Sequence, residues 1–248
     1  MGREQITVEL TDHMGSDLSV VNSARVSFSK RSEFEDGKDQ HEIDLINAML
    51  REIADRNDWY EPEYLCGDLK DDDKRLVKYL ADHRHMTPFR HNAIELRCSA
   101  PIFLVRQLGK HQAGLSWNEV SRRYVSDAPD FFMPDEWRSK PTGSIKQGSG
   151  NRHYNNYQLS KEYKRFIQLA HSGYNAMIAD GVAPEMARMC LPQSMMTEWV
   201  WTGNLLSFAH VYKERIAEGA QEEAKWFAEE LDKQIRPLFP IAWSALVD

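Results

Sequence analysis

One nineteen-residue stretch is unusually rich in side chains that can bind an anion. It reads RQLGKHQAGLSWNEVSRRY, residues 106–124, with four lysine or arginine residues, a histidine, three amides, two serines, a glutamate and a tyrosine. Arg106, Lys110 and Arg123 can each hold a phosphate oxygen, and arginine can do so through two parallel hydrogen bonds. The stretch therefore indicates either a focused anion pocket or a solvated charged face.

Three histidines occur within HRHMTPFRH, residues 83–91. His83 and His85 have the HxH spacing of some metal ligands. No carboxylate-rich motif lies nearby to complete a ligand set, and Thr87 followed by Pro88 breaks helical geometry. We therefore expect no metal site, and the histidines to lie beside an anionic cofactor or in an ordinary loop.

The segment NLLSFAHVYKERIAEGAQEE, residues 204–223, favours a helix that presents polar groups on successive turns. Asn204, Ser207, His210 or Val211, and Arg215 fall on neighbouring turns, because residues three and four apart share a helical face. A plain amphipathic helix with Arg215 in its solvated last turn is equally compatible with the pattern.

Arg188 lies within EMARMCLP, among Met186, Met189 and Leu191. This apolar neighbourhood predicts a half-buried guanidinium, which needs an anionic partner. The partner is either a ligand or a carboxylate of the protein, and the local pattern leaves both open.

The three cysteines, Cys66, Cys98 and Cys190, are odd in number and far apart. They predict neither a disulfide framework nor a CxxC zinc site. None has a base beside it that would activate a thiolate nucleophile. The chain also lacks GxSxG, Walker and GxGxxG motifs.

Composition is that of a soluble globular protein, with 42% hydrophobic and 28% charged residues and a formal charge of −7. An acidic chain argues against unspecific nucleic-acid binding, because phosphate neutralisation needs basic surface. The first residues, MGREQITVEL, have no apolar run of signal-peptide length, and nothing approaches a membrane span. We expect a cytoplasmic protein with no nucleic-acid or membrane partner.

Hydrophobic periodicity predicts an α+β fold, with a mixed or antiparallel central sheet packed with several helices. Strands are expected at 6–10, 92–100 and 195–203, and helices at 16–28, 40–55, 75–83, 101–111, 157–178, 183–191, 204–215 and 221–236. Polar segments predict a loop at 56–75 and a mobile surface loop at 139–150. No linker divides the chain, so we expect a single domain over 1–248.

Local signals place the polar stretch on these elements. Pro101 suits the first turn of a helix that ends at Gly109 or Gly114, and the remainder, with Leu115 and Trp117, is expected to be a packed loop. Ser16 or Asp17 is expected to cap the helix that follows, and Asn204 another.

Taken together, these segments resemble the flavin-dependent thymidylate synthases. The signature of that family is an Arg-His-Arg trio, seven residues and a serine, within the phrase NE-x-S-x-RY. The matching residues are Lys110-His111-Gln112, Asn118, Glu119, Ser121, Arg123 and Tyr124. Further segments match in order over about 14–240: MGSDLSVVNSARVSF, HMTPFRH, APIFLVRQ, ARMCLP, WTGN, and Arg215 to Gln221.

The chain departs from the family pattern where that family holds its flavin. Both arginines of the trio are replaced, and one extra residue precedes Ser121. Arg90 stands where an acid is common, Leu206 replaces a frequent arginine, His210 a frequent asparagine, and Gly219 a frequent histidine.

The resemblance implies a dUMP site and a catalytic residue without a cysteine nucleophile. The residues that match the substrate site are Gln107, Lys110, Glu119, Val120, Ser121, Arg122, Arg123, Arg188 and Arg215. Arg215 would be catalytic, because a cation near the uracil stabilises charge that develops in the ring. The resemblance further implies a homotetramer whose active sites lie between subunits.

The resemblance also implies FAD as the cofactor. The matching positions are Ser27, His85, Thr87, Lys110, His111, Gln112, Ala113, Glu119, Asn204, Leu206 and His210. NADPH would reduce the flavin, and 5,10-methylenetetrahydrofolate would supply the carbon placed on C5 of the uracil. Two alternatives remain: a metal-dependent nucleotide hydrolase that uses His83, His85 and His91, and a flavin- or nucleotide-binding protein without turnover.

Overall fold

Four strands form one antiparallel sheet in a computed structural model that describes residues 2–55, 67–125, 127–141 and 148–248. The strands are β1 (Thr7–Met14), β2 (Ala93–Pro101), β3 (Leu115–Glu119) and β4 (Met196–Gly203), in the order β1-β2-β4-β3. Every neighbouring pair runs antiparallel. The α+β class and the antiparallel option predicted from the sequence are confirmed.

Helices surround this sheet in the described part of the chain. They are α1 (Asp17–Arg25), α2 (Gln40–Asp55), α3 (Asp71–Asp82), α4 (Ile102–Leu108), α5 (Asn156–Ala179), α6 (Pro184–Ala187), α7 (Leu205–Ile216), α8 (Glu222–Ile235) and α9 (Pro240–Val247). Short 3-10 turns occupy Arg3–Gln5, Val26–Phe28, Thr87–Arg90 and Arg188–Cys190. The helices predicted at 40–55, 157–178 and 204–215 are confirmed with ends shifted by one or two residues at most.

The core lies on one face of the sheet, as the alternation in β2 predicts. Ile94, Leu96 and Cys98 are buried, whereas Arg97 on the other face is exposed. Trp199 and Trp201 of β4 extend the same buried face. Helices α7, α8 and α9 supply the opposite wall of this core, with Phe208, Phe227 and Trp243 among its largest fully buried side chains.

A buried carboxylate joins the start of α1 to the start of α9. Ser16 caps α1, and Asp17 follows it with 4% of its surface exposed. The two oxygens of Asp17 accept the backbone N–H groups of Ile241 and Ala242 at 2.9 and 2.8 Å. Burial raises the pKa of Asp17 to about 6, while these two hydrogen bonds oppose the shift.

Three sequence expectations differ from the structure. Residues 115–119 form strand β3 rather than a packed loop, because Leu115 and Trp117 alternate with polar residues and pair with β4. Pro101 ends β2 and caps α4, so the helix begins one residue later. Helix α9 was not expected at all, since its sequence is apolar on every side.

Two expected loops are only partly described, and the first is shorter than predicted because α3 begins at Asp71. Residues 56–66 and 142–147, within the loops predicted at 56–75 and 139–150, lie outside the described residues. Among the described helices, none is both long enough and apolar enough to span a lipid bilayer.

Candidate active site

The end of α4 and the first residues of β3 enclose a cavity of about 470 Å³, which we call the trio cavity. Lys110, His111 and Gln112 line it, so the structure brings the whole trio to one concave surface. The other lining residues are Val105, Arg106, Gly109, Leu115, Trp117, Glu119 and Trp201. Ala113, next in the chain, is exposed.

Gly114 lets the trio loop lie against the start of α7. Its φ of +72° favours glycine, and a Cβ there would come within 2.4 Å of the Ser207 hydroxyl and 2.9 Å of the Asn204 amide nitrogen. Asn204 caps α7 as predicted, since its Oδ1 accepts both the backbone N–H and the hydroxyl of Ser207. A residue of any other type here would have to displace the Ser207 or Asn204 side chain.

Arg215, on the last turn of α7, meets the central residue of the trio. Nε and Nη2 of Arg215 lie 3.0 and 2.8 Å from Nε2 of His111. Arginine has no acceptor atom, so Nε2 of His111 accepts both N–H groups and carries no proton itself. Partial burial and the charge of Arg215 lower the pKa of His111 below its ordinary value of 6.5.

Glu119 ends β3 with its carboxylate held at both oxygens. The Thr197 hydroxyl donates to Oε1 at 3.0 Å, and the Trp117 indole N–H points at Oε2 from 3.4 Å. Trp117 is itself stacked on Trp199, with ring centroids 4.4 Å apart and planes inclined by 14°. The strand pairing that places Trp117 opposite Trp201 therefore also orients the carboxylate.

A second cavity, of about 650 Å³, lies on the other side of Glu119 and is called the arginine cavity. Its lining residues are Ile102, Glu119, Val120, Ser121, Arg122, Arg123, Arg188, Met189, Leu191, Met195 and Thr197. Glu119 thus borders both cavities. Sequence reasoning assigned nine residues to dUMP, and six of the nine meet here: Glu119, Val120, Ser121, Arg122, Arg123 and Arg188.

The turn after β3 is built around Ser121. Its hydroxyl accepts Nε of Arg123 at 3.1 Å, and its carbonyl accepts the backbone N–H of Tyr124 at 3.0 Å. Arg122 also lines the arginine cavity, and its guanidinium donates to the carbonyl of Asp127. The side chain of Arg123 forms no ion pair with any described residue, so its charge is available to a ligand.

Arg188 is not half buried, in contrast to the sequence prediction. It lies exposed in the 3-10 turn after α6, where the buried residue is Ala187. Met186 and Met189 are 50% and 72% exposed, so the apolar neighbours do not form a core around the guanidinium. No carboxylate of the described residues pairs with Arg188, which leaves a second cation facing the arginine cavity.

The positions expected to contact FAD fall into two groups. Ser27, His85, Thr87 and His210 are exposed. Leu206 is only 6% exposed and belongs to the hydrophobic core, so its side chain contributes mainly to packing.

The alternative site chemistries find little support in the geometry. His83 stacks on Tyr79 and its Nδ1 lies 2.9 Å from the Tyr79 carbonyl. Over the described ranges, no three His, Cys, Asp or Glu side chains cluster as metal ligands. Cys98 is 1% exposed, and burial raises the pKa of its thiol, which disfavours a nucleophilic thiolate.

Sequence reasoning missed several residues that position the site. Thr197 and Trp117 hold Glu119, and Gln221 bonds Gln107 at 2.6 Å. The alternation of LSWNE with its apolar Leu and Trp was the available signal for Trp117. Nothing local in the sequence marks Thr197, because its role arises from strand pairing across 78 residues.

Comparison with known proteins assigns the chain to a family. The Thy1 family model, described as thymidylate synthase complementing protein, matches residues 9–241. The flavin-dependent thymidylate synthase of Thermus thermophilus is 31% identical over 238 residues, which span 96% of this chain and 74% of the relative. That of Thermotoga neapolitana is 28% identical over 240 residues, 97% of this chain and 90% of the relative.

A solved structure shares the fold. The UMP/dUMP methylase PolB from Streptomyces cacaoi, bound with 5-Br dUMP, superposes with a TM-score of 0.73 at 28% identity, covering 97% of this chain and 94% of the other. Fold and comparisons together define an enzyme of the thymidylate synthase complementing class. The chain belongs to the family of flavin-dependent thymidylate synthases.

Proposed function

We propose that this chain methylates C5 of dUMP to give dTMP. The reaction consumes dUMP, 5,10-methylenetetrahydrofolate, NADPH and a proton, and yields dTMP, tetrahydrofolate and NADP⁺. The observation that carries the proposal is the arginine cavity, where Arg123 and Arg188 face a space beside Ser121 without a carboxylate partner among the described residues. Unpaired guanidinium groups around a cavity suit a phosphate, which arginine can bind through two parallel bonds.

The remaining nucleotide contacts are assigned by the family resemblance and supported by position. Ser121 and Arg123 bind the phosphate, and Arg188 reaches it from the same chain or from a neighbouring subunit. Glu119, which borders both cavities, contacts the nucleoside. Gln107 is assigned a nucleoside contact by the resemblance, and its neighbour on α4, Arg106, lines the trio cavity. Val120, Arg122 and Lys110 complete the surroundings of the substrate.

Arg215 activates the uracil by its field. C5 of uracil is a poor nucleophile, and the buried Cys98 cannot add to the ring to activate it. A guanidinium near the ring carbonyls stabilises negative charge as it develops. The bonds from Arg215 to His111 fix that guanidinium in advance, so little reorganisation is needed during the reaction.

The surface expected to hold FAD has suitable donors. The turn that carries Thr87 packs against both α1 and α7, and Asn92 accepts the backbone N–H of Leu205 at 2.7 Å. Exposed His85, Arg90 and Lys110 are cations or donors that a pyrophosphate requires. FAD bound here, along Ser27, His85, Thr87, the Lys110–Ala113 loop, Asn204 and His210, supplies the hydride for the reduction.

The assembly and location follow the family. The enzyme works in the cytoplasm as a homotetramer, with each active site completed by neighbouring subunits, and the whole chain folds as one domain. Neither nucleic acid nor membrane takes part. In one chain, Arg123 and Arg188 border the arginine cavity while Arg215 lies beside the trio cavity, which is compatible with completion of the site between subunits.

A second substrate, UMP, has its own supporting observation. The PolB methylase named for UMP and dUMP also superposes when bound with 5-Br UMP, with a TM-score of 0.72 and 26% identity. The chain resembles this dual-specificity protein over nearly its full length. Competition between UMP and dUMP for methylation measures the preference directly.

Tritium release from [5-³H]dUMP tests the main proposal. The purified protein, with FAD, NADPH and methylenetetrahydrofolate, should release tritium to water and form dTMP, and Arg123→Ala should raise the KM for dUMP. Arg97→Ala is the matched control, because Arg97 is an exposed arginine paired with Glu198 on the far face of the sheet. A flavin bleached by NADPH without tritium release would identify an inert binder. Bound metal with hydrolysis of dUMP would identify the hydrolase.

A further inference from the structure

A relay of four polar side chains ends at Gln107 on α4. Arg138 forms an ion pair with Glu223, a residue with 4% of its surface exposed in the first turn of α8. The other oxygen of Glu223 accepts Nε2 of Gln221 at 2.8 Å. Oε1 of Gln221 in turn accepts Nε2 of Gln107 at 2.6 Å.

The chemistry of Glu223 gives this relay one direction. A carboxylate has no N–H or O–H to donate, so the amide nitrogen of Gln221 must face it. The oxygen of Gln221 then faces α4, and the amide of Gln107 must turn its nitrogen toward Gln221. The remaining atom, Oε1 of Gln107, accepts no hydrogen bond from the described residues and is left as an acceptor for a ligand.

We propose that Glu223 and Gln221 are positioning residues that present Gln107 to the substrate as a hydrogen-bond acceptor. This inference rests on the proposed function, in which Gln107 contacts dUMP. The nucleotide offers two matching donors, N3–H of the uracil and the 3′-hydroxyl of the deoxyribose. A reversed Gln107 amide would set two acceptors against each other and leave both without a partner, which weakens binding.

Arg138 secures the far end of the relay. It has only donors, and it bonds both Glu223 and the Ser149 hydroxyl, the latter at 2.7 Å from its Nε. The ion pair keeps Glu223 as an acceptor on both oxygens. Substitution of Glu223 by glutamine preserves the shape of the side chain but reverses this polarity, because Arg138 holds the amide oxygen and the amide nitrogen then faces Gln221.

Calorimetric binding of dUMP to the full-length protein tests the inference through paired substitutions. Glu223→Gln should raise the Kd of dUMP about tenfold, the scale of one buried hydrogen bond to a charged group, with a smaller effect on kcat. Gln107→Glu alone should also weaken binding, since Gln221 would then face an acceptor-only group on each side. The two substitutions together should restore the affinity to within about threefold of the wild type.

The rescue follows from reversal of the relay. In the double variant, the new carboxylate at position 107 accepts from Gln221, and Gln221 accepts from the new amide at position 223. That amide accepts from Arg138, so every group keeps a partner, and the second oxygen at position 107 still offers an acceptor to dUMP. A merely structural role for Glu223 predicts no such rescue.

Two further variants separate this role from loss of charge or of folding. Glu222→Gln removes a negative charge from the same first turn of α8, where Glu222 has no bond to the relay, and should leave dUMP binding unchanged. Gln221→Leu breaks the relay while the Arg138–Glu223 pair stays intact, and should weaken dUMP binding as Glu223→Gln does.

The outcomes distinguish the inference from the function on which it rests. Wild-type affinity for dUMP in Glu223→Gln or in Gln221→Leu would overturn the inference. It would also be overturned if the double variant of Glu223→Gln and Gln107→Glu bound dUMP as weakly as the two single effects combined. Wild-type protein that binds no dUMP would refute the proposed function and the inference together. Weakened single variants with a restored double variant would establish the relay.

Discussion

Arg215 gives two hydrogen bonds to a single nitrogen of His111, with Nε and Nη2 at 3.0 and 2.8 Å from Nε2. This contact joins the last turn of α7 to the trio loop, 104 residues away in the chain. It makes the neutral imidazole the partner of the guanidinium, whereas Arg123 and Arg188, at the arginine cavity, have no carboxylate partner in the described ranges. The orientation of Arg215 therefore depends on the protonation state of His111.

Arg215→Ala should lower kcat for dTMP formation by about two to four orders of magnitude, the range for loss of one electrostatic stabiliser. The measurement is tritium release at saturating dUMP and folate. Arg97→Ala, which removes an exposed arginine from the far face of the sheet, serves as the control. Near-normal turnover in Arg215→Ala would contradict the role assigned to it.

Acidification should inactivate the enzyme through His111. Burial and Arg215 lower the pKa of His111 below 6.5, so the neutral form predominates at pH 7. As pH falls through the lowered pKa, a proton occupies Nε2 and the imidazolium repels Arg215. The stability that this contact contributes is present above pH 6.5 and lost on the acid side. We expect kcat to fall at low pH in the wild type.

His111→Gln offers the comparison, because glutamine supplies an acceptor that does not titrate. In this variant the fall of kcat at low pH should disappear or move to a lower pH, while turnover near pH 7 is partly retained. If kcat falls at the same pH in the wild type and in His111→Gln, another titrating group causes the loss of activity.

Ser121→Ala should weaken dUMP binding by about three- to tenfold and leave substantial turnover. The hydroxyl supports Arg123 from 3.1 Å, and in the proposed site it would give one bond to the phosphate without acting as a nucleophile. Steady-state KM and kcat, with mass spectrometry of the quenched enzyme, provide the measurement. A covalent adduct between Ser121 and the nucleotide would overturn the assignment.

Gly114→Ala should destabilise the protein by about 2–4 kcal/mol, from backbone strain at positive φ and from the clash with Ser207. Gly181→Ala is the matched control: its φ is +84°, yet nothing lies within 4 Å of the added Cβ. The difference between their urea-unfolding free energies isolates the close approach of the trio loop to α7. Equal losses of unfolding free energy in the two variants would show that the Ser207 side chain moves aside without destabilising the protein.

Asp17→Asn should change how stability varies with acidity. The folded pKa of Asp17 is raised to about 6 from 3.8, so its favourable contribution is complete below pH 3.8 and lost as pH rises through 6. The wild type should lose up to about 3 kcal/mol relative to Asp17→Asn between pH 4 and 7. Urea unfolding across this range measures it, with the exposed Asp12→Asn as control. If the unfolding free energies of the wild type and of Asp17→Asn changed in parallel with pH, the buried carboxylate would not be the cause of the pH dependence.

Much of the architecture was predictable because its signals are local. The period of Ile43, Ile46, Leu50 and Ile53 predicts α2, and the alternation of β2 predicts its buried face. The Ser16 and Asn204 caps depend on neighbours within three residues. Family motifs added the functional class, which no single local pattern could supply.

The errors arise where distant residues decide the outcome. Strand β3 exists because β4, about 80 residues later, supplies its hydrogen bonds. Arg188 is exposed because Ala187 rather than its methionine neighbours packs inward. The relay from Arg138 to Gln107 joins three separate elements, and no spacing in the sequence reveals it.

Glu119 lines both the trio cavity and the arginine cavity, and this limits how ligand selectivity can evolve here. A substitution of Glu119 that adapts one cavity to a new ligand also changes the shape of the other, because the same side chain borders both. We therefore expect a change of nucleotide specificity to arise at Ser121 or Arg188, which line the arginine cavity and not the trio cavity, rather than at Glu119.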